Sequence, residues 1–254
     1  MSGFRAYCDF SAFSAGDEIP VGGAVELNAA ESRHLCGALR ARAGDMVDVF
    51  DAKGSAYRCE LAEASSKSAA LRVIGRLYPK SPEVEVYLAQ CLPKGPAFDE
   101  IIRQSVELGA SGIYPLMSCR SVVRLGRADA EKKSAKWFEK YVEAIKQSSN
   151  LSKFEMPPVS DISDFLSNSG GFEVKLVASL RENASPIYKV LKSAGVDFAK
   201  SACVLIGPEG DLSDAEYDAA ESAGFIPVKL GDNVMKCDTA AACALSVLKA
   251  FWQK

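Results

Sequence analysis

The sequence predicts an α/β protein in which a parallel sheet is covered by helices and is preceded by a small β-barrel. Three observations carry this reading. From Val84 onward, strand-like and helical segments alternate regularly, the pattern of a parallel sheet with helices on both faces. The first eighty or so residues instead hold short strands broken by turns and by one helix. Between the two patterns, Tyr78-Pro79-Lys80-Ser81-Pro82 places two prolines in four residues. Proline discourages both a central strand and a helix, so the chain divides into 1–80 and 81–254.

In the first part, strands are predicted at 24–27, 46–50, 56–62 and 69–77 from alternation and β-branched content. Gly44-Asp45 and Asp51-Ala52-Lys53-Gly54 supply turns between them. Asn28 followed by Glu31 is a start like a capping box, and Leu35 and Leu39 then fall on one face of the helix. In the second part, strands are predicted at 85–91, 112–116, 174–180, 202–206 and 225–230. Phe98, Ile101, Ile102 and Ser105 have helical spacing ahead of Gly109, and a long amphipathic segment runs over 129–147. Ser213 with Glu216 makes a capping box, and Gly224 closes that helix. The last helix carries Ala240, Ala241, Ala244, Leu245, Leu248 and Phe251, a small-residue face suited to close packing on a sheet or on another subunit.

Composition narrows the function. With 254 residues, 48% of them hydrophobic, the chain can bury one large core or two smaller ones. No apolar run is long enough to span a membrane, and Met1-Ser2-Gly3-Phe4-Arg5 lacks the charged-then-apolar pattern of a leader. A cytoplasmic protein without a membrane partner is the expectation. The eight cysteines are scattered without a C-x-x-C pair, and His34 is the single histidine, so no zinc site of ordinary spacing can be assembled. Reduced cysteines serving as small core residues, and no metal, are expected. A net charge of -3 gives no support to nucleic-acid binding by the chain as a whole, so any such contact must rest on a local patch.

Two loops stand out for chemistry, because ligands of open α/β sheets bind beyond the C-terminal ends of the strands. The first is Ile206-Gly207-Pro208-Glu209-Gly210-Asp211-Leu212-Ser213. Two glycines around a rigid proline fix an unusual path and let a ligand approach closely, although a plain strand-to-helix turn reads the same way. The spacing is neither G-x-G-x-x-G nor that of a P-loop. The second loop runs from Leu230-Gly231 through Lys236-Cys237-Asp238 to Thr239-Ala240, one β-α unit further along. Asp238 there is a candidate N-cap of the last helix as well as a candidate for chemistry.

Gly207-Pro208-Glu209-Gly210, followed by Leu230-Gly231, Val234-Met235-Lys236 and Asp238-Thr239-Ala240, resembles the paired signature of the RsmE-type enzymes, ribosomal RNA uridine N3 methyltransferases of the SPOUT class. Smaller fragments fall in the family's order: His34-Leu35 through Leu39-Arg40 to Gly44-Asp45, then Glu107-Leu108-Gly109, Arg120-Ser121, Gln147-Ser148 and Pro157-Pro158. The resemblance implies a PUA-like β-barrel that binds RNA, joined to a SPOUT-type domain whose C-terminal segment forms a trefoil knot. It implies S-adenosylmethionine as cofactor, touching Ile206, Gly207, Gly210, Leu230, Gly231, Val234, Met235, Thr239 and Ala240. It implies a homodimer whose substrate is N3 of a uridine in 16S ribosomal RNA or the small ribosomal subunit. Methylation of another base or of a ribose 2'-hydroxyl, and a non-catalytic role in ribosome assembly, are the alternatives.

Asp211 stands where the family has a second glycine, Lys236 for an arginine, Asp238 for a glutamate, Gln104 for a lysine and Asn150 for an arginine. Uridine N3 becomes nucleophilic only as its proton leaves, so the site requires a proton acceptor or a cation facing the developing anion. Lys236 is assigned to stabilise that anion, with Glu209 or Asp238 orienting it or receiving the proton. Glu209 has an equal alternative as a structural tie of its loop. RNA contact is assigned to Arg33, Arg40 and Arg42 in the first domain and to Arg120 and Arg124 near the crevice. His34 is read as a packing residue.

Overall fold

The computed structural model describes residues 3–10, 18–51, 53–193 and 195–253. Met1 and Ser2 of the opening and Ala52 of the predicted turn lie outside the described residues. The chain forms two compact units, Met1–Ser81 with Ile145–Lys153, and Pro82–Ala144 with Phe154–Lys254.

The first unit is built on five strands, β1 (Phe4–Tyr7), β2 (Ala24–Glu26), β3 (Met46–Phe50), β4 (Ala56–Glu63) and β5 (Ala70–Leu77). They lie in the order β1-β3-β4-β5-β2. β1 runs parallel to β3, while the other pairs are antiparallel. Ala6 from one edge and Val25 from the other share a core with Leu35, Val49, Leu61 and Leu71. Residues from opposite edges meet in one core only if the sheet curls, and the register shifts in the β4–β5 pair assist that bend. β1 was not anticipated, because a four-residue strand whose partner lies some forty residues away leaves no hairpin signal.

α1 (Ala29–Ser32) starts as predicted at Asn28, whose Oδ1 accepts from the backbone N–H groups of Ala30 and Glu31 at 2.9 Å each. The reciprocal half of the capping box is absent. Glu31 instead accepts from the Tyr7 N–H at 3.1 Å and from Lys146 Nζ at 2.8 Å. The chain then winds more widely over Arg33–Ala38, with the Leu39 N–H reaching His34 O at 2.9 Å. In this five-residue winding, positions four apart no longer stack. Leu35 is accordingly buried while Leu39 is exposed, which corrects the shared face predicted for them. His34 is exposed and not packed.

The second unit contains β6 (Glu85–Cys91), α2 (Ala97–Glu107), β7 (Gly112–Met117), α3 (Arg127–Ser148, whose last turn falls in the first unit), β8 (Ser160–Asp161), α4 (Ile162–Ser167) and β9 (Val174–Ala178). It continues with β10 (Ser185–Pro186), α5 (Ile187–Ser193), β11 (Ser201–Ile206), α6 (Asp214–Ser222), β12 (Ile226–Lys229) and α7 (Cys237–Trp252). Every pairing is parallel, in the order β10-β12-β9-β11-β6-β7-β8. One face carries Tyr87, Cys91 and Leu205 against Phe165, Tyr217 and Phe225 of α4 and the α6 region. On the other face α7 packs on α2, β6 and β11. The small-residue face of α7, with Ala240, Ala241 and Ala244 buried, allows that approach. β11 enters late, between β6 and β9, so the C-terminal segment returns to the middle of the sheet.

Local signals act as predicted at several ends. Ser213 and Glu216 form the capping box of α6, and Gly109 and Gly224 end their helices at φ of +74° and +89°. The two-residue strands β8 and β10 and the short helices α4 and α5 lack enough turns to show a period. Of the cysteines, Cys59, Cys91, Cys203 and Cys237 are buried, Cys8, Cys36 and Cys243 are half-buried, and Cys119 is exposed, so the core reading holds for only part of the set. Among the described residues no group of side chains could hold a metal ion, and no helix is long and apolar enough to cross a membrane.

In the first unit the Lys146–Glu31 pair is nearly withdrawn from water, with side-chain exposures of 15% and 11%. Lys146→Met leaves Glu31 charged and unpaired, and is expected to destabilise this unit by about 3 kcal/mol. Denaturant unfolding checks this, and an unchanged midpoint would show that the pair is energetically idle.

Candidate functional site

β12, β9 and β11 are neighbours in the sheet in an order that is not their order in the chain, and the loops leaving their C-terminal ends converge. They enclose a cavity of about 320 Å³. Its wall is made by residues 178–180 after β9, 206–209 and Asp211 after β11, and 230–231 with 233–236 after β12. Val228 and Lys229 of β12, Tyr217 of α6, and Cys237 and Ala240 of α7 complete it.

A side chain at the first glycine of either loop would be a tight fit. A Cβ on Gly207 would meet the Leu212 nitrogen at 3.3 Å, and one on Gly231 would meet Met235 Cε at 3.0 Å. The first loop is closed by the Asp211 N–H donating to Pro208 O at 2.9 Å. Asp211 itself takes φ +60°, a left-handed value that suits glycine and that Asp tolerates through local side-chain hydrogen bonds. Its Oδ1 accepts from the Leu212 N–H at 2.8 Å and from the Tyr217 hydroxyl at 2.6 Å. Burial, and then the bond to Asp211, push the Tyr217 hydroxyl well above its usual range, so it stays a proton donor. Cys237 Sγ lies 3.5 Å from Gly207 O and ties the start of α7 to the first loop. Burial, reinforced by the charge of Glu209, pushes that thiol up to about 11, which rules out a thiolate nucleophile at neutral pH.

The structure brings most of the predicted site together. Ile206, Gly207, Leu230, Gly231, Val234, Met235 and Ala240 line the cavity, while Gly210 and Thr239 do not. Gly210 packs beside Arg120 instead, and Thr239 is exposed. Glu209 and Lys236 share the lining, and Asp238 lies outside it. Asp238 is also not the N-cap, since α7 begins at Cys237 and Asp238 Oδ1 accepts from the Thr239 N–H at 2.9 Å. Glu209 Oε1 accepts from the Lys94 N–H at 2.8 Å, tying the first loop to the connection between β6 and α2.

The arginines divide. Arg120 Nη1 donates to the carbonyls of Gly210 and Leu212 at 3.2 and 3.3 Å, so it braces the first loop. Arg124 Nη2 donates to Cys119 O at 2.8 Å. Arg33, Arg40 and Arg42 are exposed in the first unit. Sequence reading missed residues 178–180 and Tyr217. The C-terminal end of a strand is a usable signal for the former, but the adjacency of β9 to β11 and β12 is invisible along the chain.

Comparison with known proteins places these features in a family. An RNA methyltransferase domain family matches residues 79–249, and an RNA methyltransferase PUA domain family matches residues 27–74. The ribosomal RNA small subunit methyltransferase E of Synechocystis sp. is 30% identical over 230 residues, covering 89% of this chain and 73% of that protein. Its counterpart in Bacillus subtilis is 29% identical over 229 residues, covering 86% of each. Among solved structures, a ribosomal RNA small subunit methyltransferase E from Neisseria gonorrhoeae bound to S-adenosyl methionine superposes with a TM-score of 0.86 at 25% identity, covering 98% of both chains. A putative methyltransferase from Legionella pneumophila in complex with the same cofactor gives 0.85 at 25% identity and 98% coverage of both. With most of its length matched by a single domain family and nearly all of it by these relatives, the chain belongs to the RsmE family of SPOUT-class ribosomal RNA methyltransferases.

Proposed function

We propose that this enzyme uses S-adenosylmethionine to methylate N3 of a uridine in 16S ribosomal RNA, acting in the cytoplasm as a homodimer on the RNA or the small ribosomal subunit. The carrying observation is the cavity shared by the loops that begin at Gly207 and Gly231. Its residues fit a nucleoside donor. A volume of about 320 Å³ suits a small ligand. Ala178, Leu180, Val228 and Leu230 offer an apolar wall, and the glycines expose backbone groups at close range. When bound, the donor supplies an electrophilic methyl group on a sulfonium, so the protein's task is positioning and charge stabilisation.

Lys236, exposed at the cavity beside the start of α7, is assigned to face the developing uridine anion. Glu209 keeps one carboxylate oxygen on the Lys94 N–H, which favours its role as a tie that orients the first loop. Asp238, outside the lining, is left to act on Lys236 or on the RNA at the rim. Gly210 stays in the proposed donor site through its loop and Thr239 through the first turn of α7, neither by direct lining. Arg33, Arg40 and Arg42 are assigned to RNA phosphates, with Arg120 and Arg124 contributing where their remaining donors face the crevice.

Incubating the enzyme with labelled donor and small subunits lacking the modification should place label on a uridine base. Label on a ribose, or none, would overturn the assigned atom. Lys236→Ala should lower turnover at least about a hundredfold while changing donor affinity little, and Glu209→Gln, which keeps an acceptor for the Lys94 N–H, should stay within a few-fold of wild type; equal activity in Lys236→Ala removes the first role and a collapse in Glu209→Gln restores Glu209 as proton acceptor. Charge reversal at Arg40 and Arg42 should weaken RNA binding and flatten its salt dependence by roughly one unit of slope per lost phosphate contact. An unchanged slope would exclude that patch.

A further inference from the structure

One carboxylate of the cavity wall, besides bracing the first glycine loop through Oδ1, keeps an oxygen free. Asp211 is half-buried in the wall, and its Oδ1 is engaged by both the Leu212 N–H and the hydroxyl of Tyr217. Tyr217 is only 2% exposed, so the carboxylate is held in one rotamer by a ring anchored in the core. Among the described residues Oδ2 accepts no hydrogen bond. The other charged groups of the wall are placed differently. Glu209 is exposed and tied to the Lys94 N–H, and Lys229 and Lys236 are exposed to solvent that screens them. Arg181 lies 4.9 Å over the Tyr217 ring, outside the lining, and is paired with Asp214 and Asp218. Asp211 is therefore the charge whose field inside the cavity is screened least.

We propose, resting on the donor reading above, that Asp211 is a specificity-determining residue that makes the pocket select the cationic sulfonium donor over the neutral thioether left after transfer. The charge balance of the reaction supplies the reason. As the C–S bond breaks, its electron pair stays on sulfur; the new N–C bond forms from the lone pair on the base nitrogen, and the nitrogen's proton departs to solvent. The ligand in the pocket thus loses one positive charge while Asp211 keeps its negative one. Attraction present before transfer is absent afterwards, so spent product is held less tightly and leaves. A glycine at this position, allowed by the same φ, would not discriminate in this way.

Asp211→Asn is a close test. Asn tolerates the left-handed backbone and keeps an amide oxygen for the Leu212 N–H and the Tyr217 hydroxyl, while the charge is removed. Titration calorimetry with S-adenosylmethionine and with S-adenosylhomocysteine gives the ratio of the two affinities. The substitution should weaken the first roughly tenfold and the second less than about twofold. Asp211→Gly should collapse the ratio equally, and Tyr217→Phe, which keeps the charge, should preserve most of it. Equal losses for both ligands, or no change in either, overturn the proposal. A wild-type protein that binds neither ligand would instead sink the donor reading itself, so the two failures are distinct.

Discussion

The site exists because β11 is paired on both sides, with β6 on one flank and β9 on the other. A strand in that position must be apolar along its whole length, and residues 202–205 are fully buried. Its placement brings the C-terminal ends of β9, β11 and β12 side by side, and no shorter pairing of sequence neighbours would do so. Once the three ends are adjacent, their loops must pack against one another. Within their own loops Gly207 lies close to Leu212 and Gly231 close to Met235, so each loop folds back tightly on itself.

Irregular loops keep a fixed path only if something outside them holds it. Here the first glycine loop is held by side chains from three other places: Arg120 on its carbonyls, Tyr217 on Asp211, and Cys237 on Gly207 O. The carboxylate of Glu209 reaches out to the Lys94 N–H. The loop bearing Arg120 is itself anchored, since Glu216 accepts from the Cys119 N–H at 2.7 Å while capping α6. Bracing of this kind lets the cavity meet its ligand without first being ordered, which is the preorganisation on which transfer by positioning depends. It also explains why polar residues that suggest chemistry or RNA contact in the sequence turn out to be engaged with backbone groups.

What the sequence made legible was local. The borders of β3 and β6, the caps at Asn28, Ser213 and Gly224, and the two glycine loops are each signalled within a few residues. What it hid was non-local. β1 was silent because its partner is remote, and the contribution of residues 178–180 was silent because β9 joins β11 and β12 only in the folded sheet. The short segment Ile145–Lys153, which clusters with the first unit, carries no composition change that would announce it. Leu39 misled through the wide winding of Arg33–Ala38, where a period of four no longer marks one face. Asp211 was visible as a departure from the family pattern, but its meaning needed Tyr217, six residues further on and folded back over it.

The same distinction between totals and local arrangement applies to charge. A net charge of -3 sits oddly with an RNA substrate until the acids are followed to their partners. Asp48 meets Arg58, Glu60 meets Arg72, Glu100 and Glu107 meet Arg103, and Asp214 and Asp218 meet Arg181. Such surface pairs contribute under about 1 kcal/mol each to stability, but they offset the charge of the arginines they hold in the field that an approaching phosphate feels, and Arg103 and Arg181 each face more than one acid. No ion pair among the described residues involves Arg33, Arg40 or Arg42, and Arg40 is presented at φ +57°, beyond the end of the wide helical turn. Counter-ions released from RNA by cations that have no protein partner give a net gain, whereas cations already paired give little. The net charge of the chain is a count that pairing does not alter, so it says little about the surface that RNA meets; Arg33, Arg40 and Arg42, exposed and without an acidic partner among the described residues, lie together in the first unit.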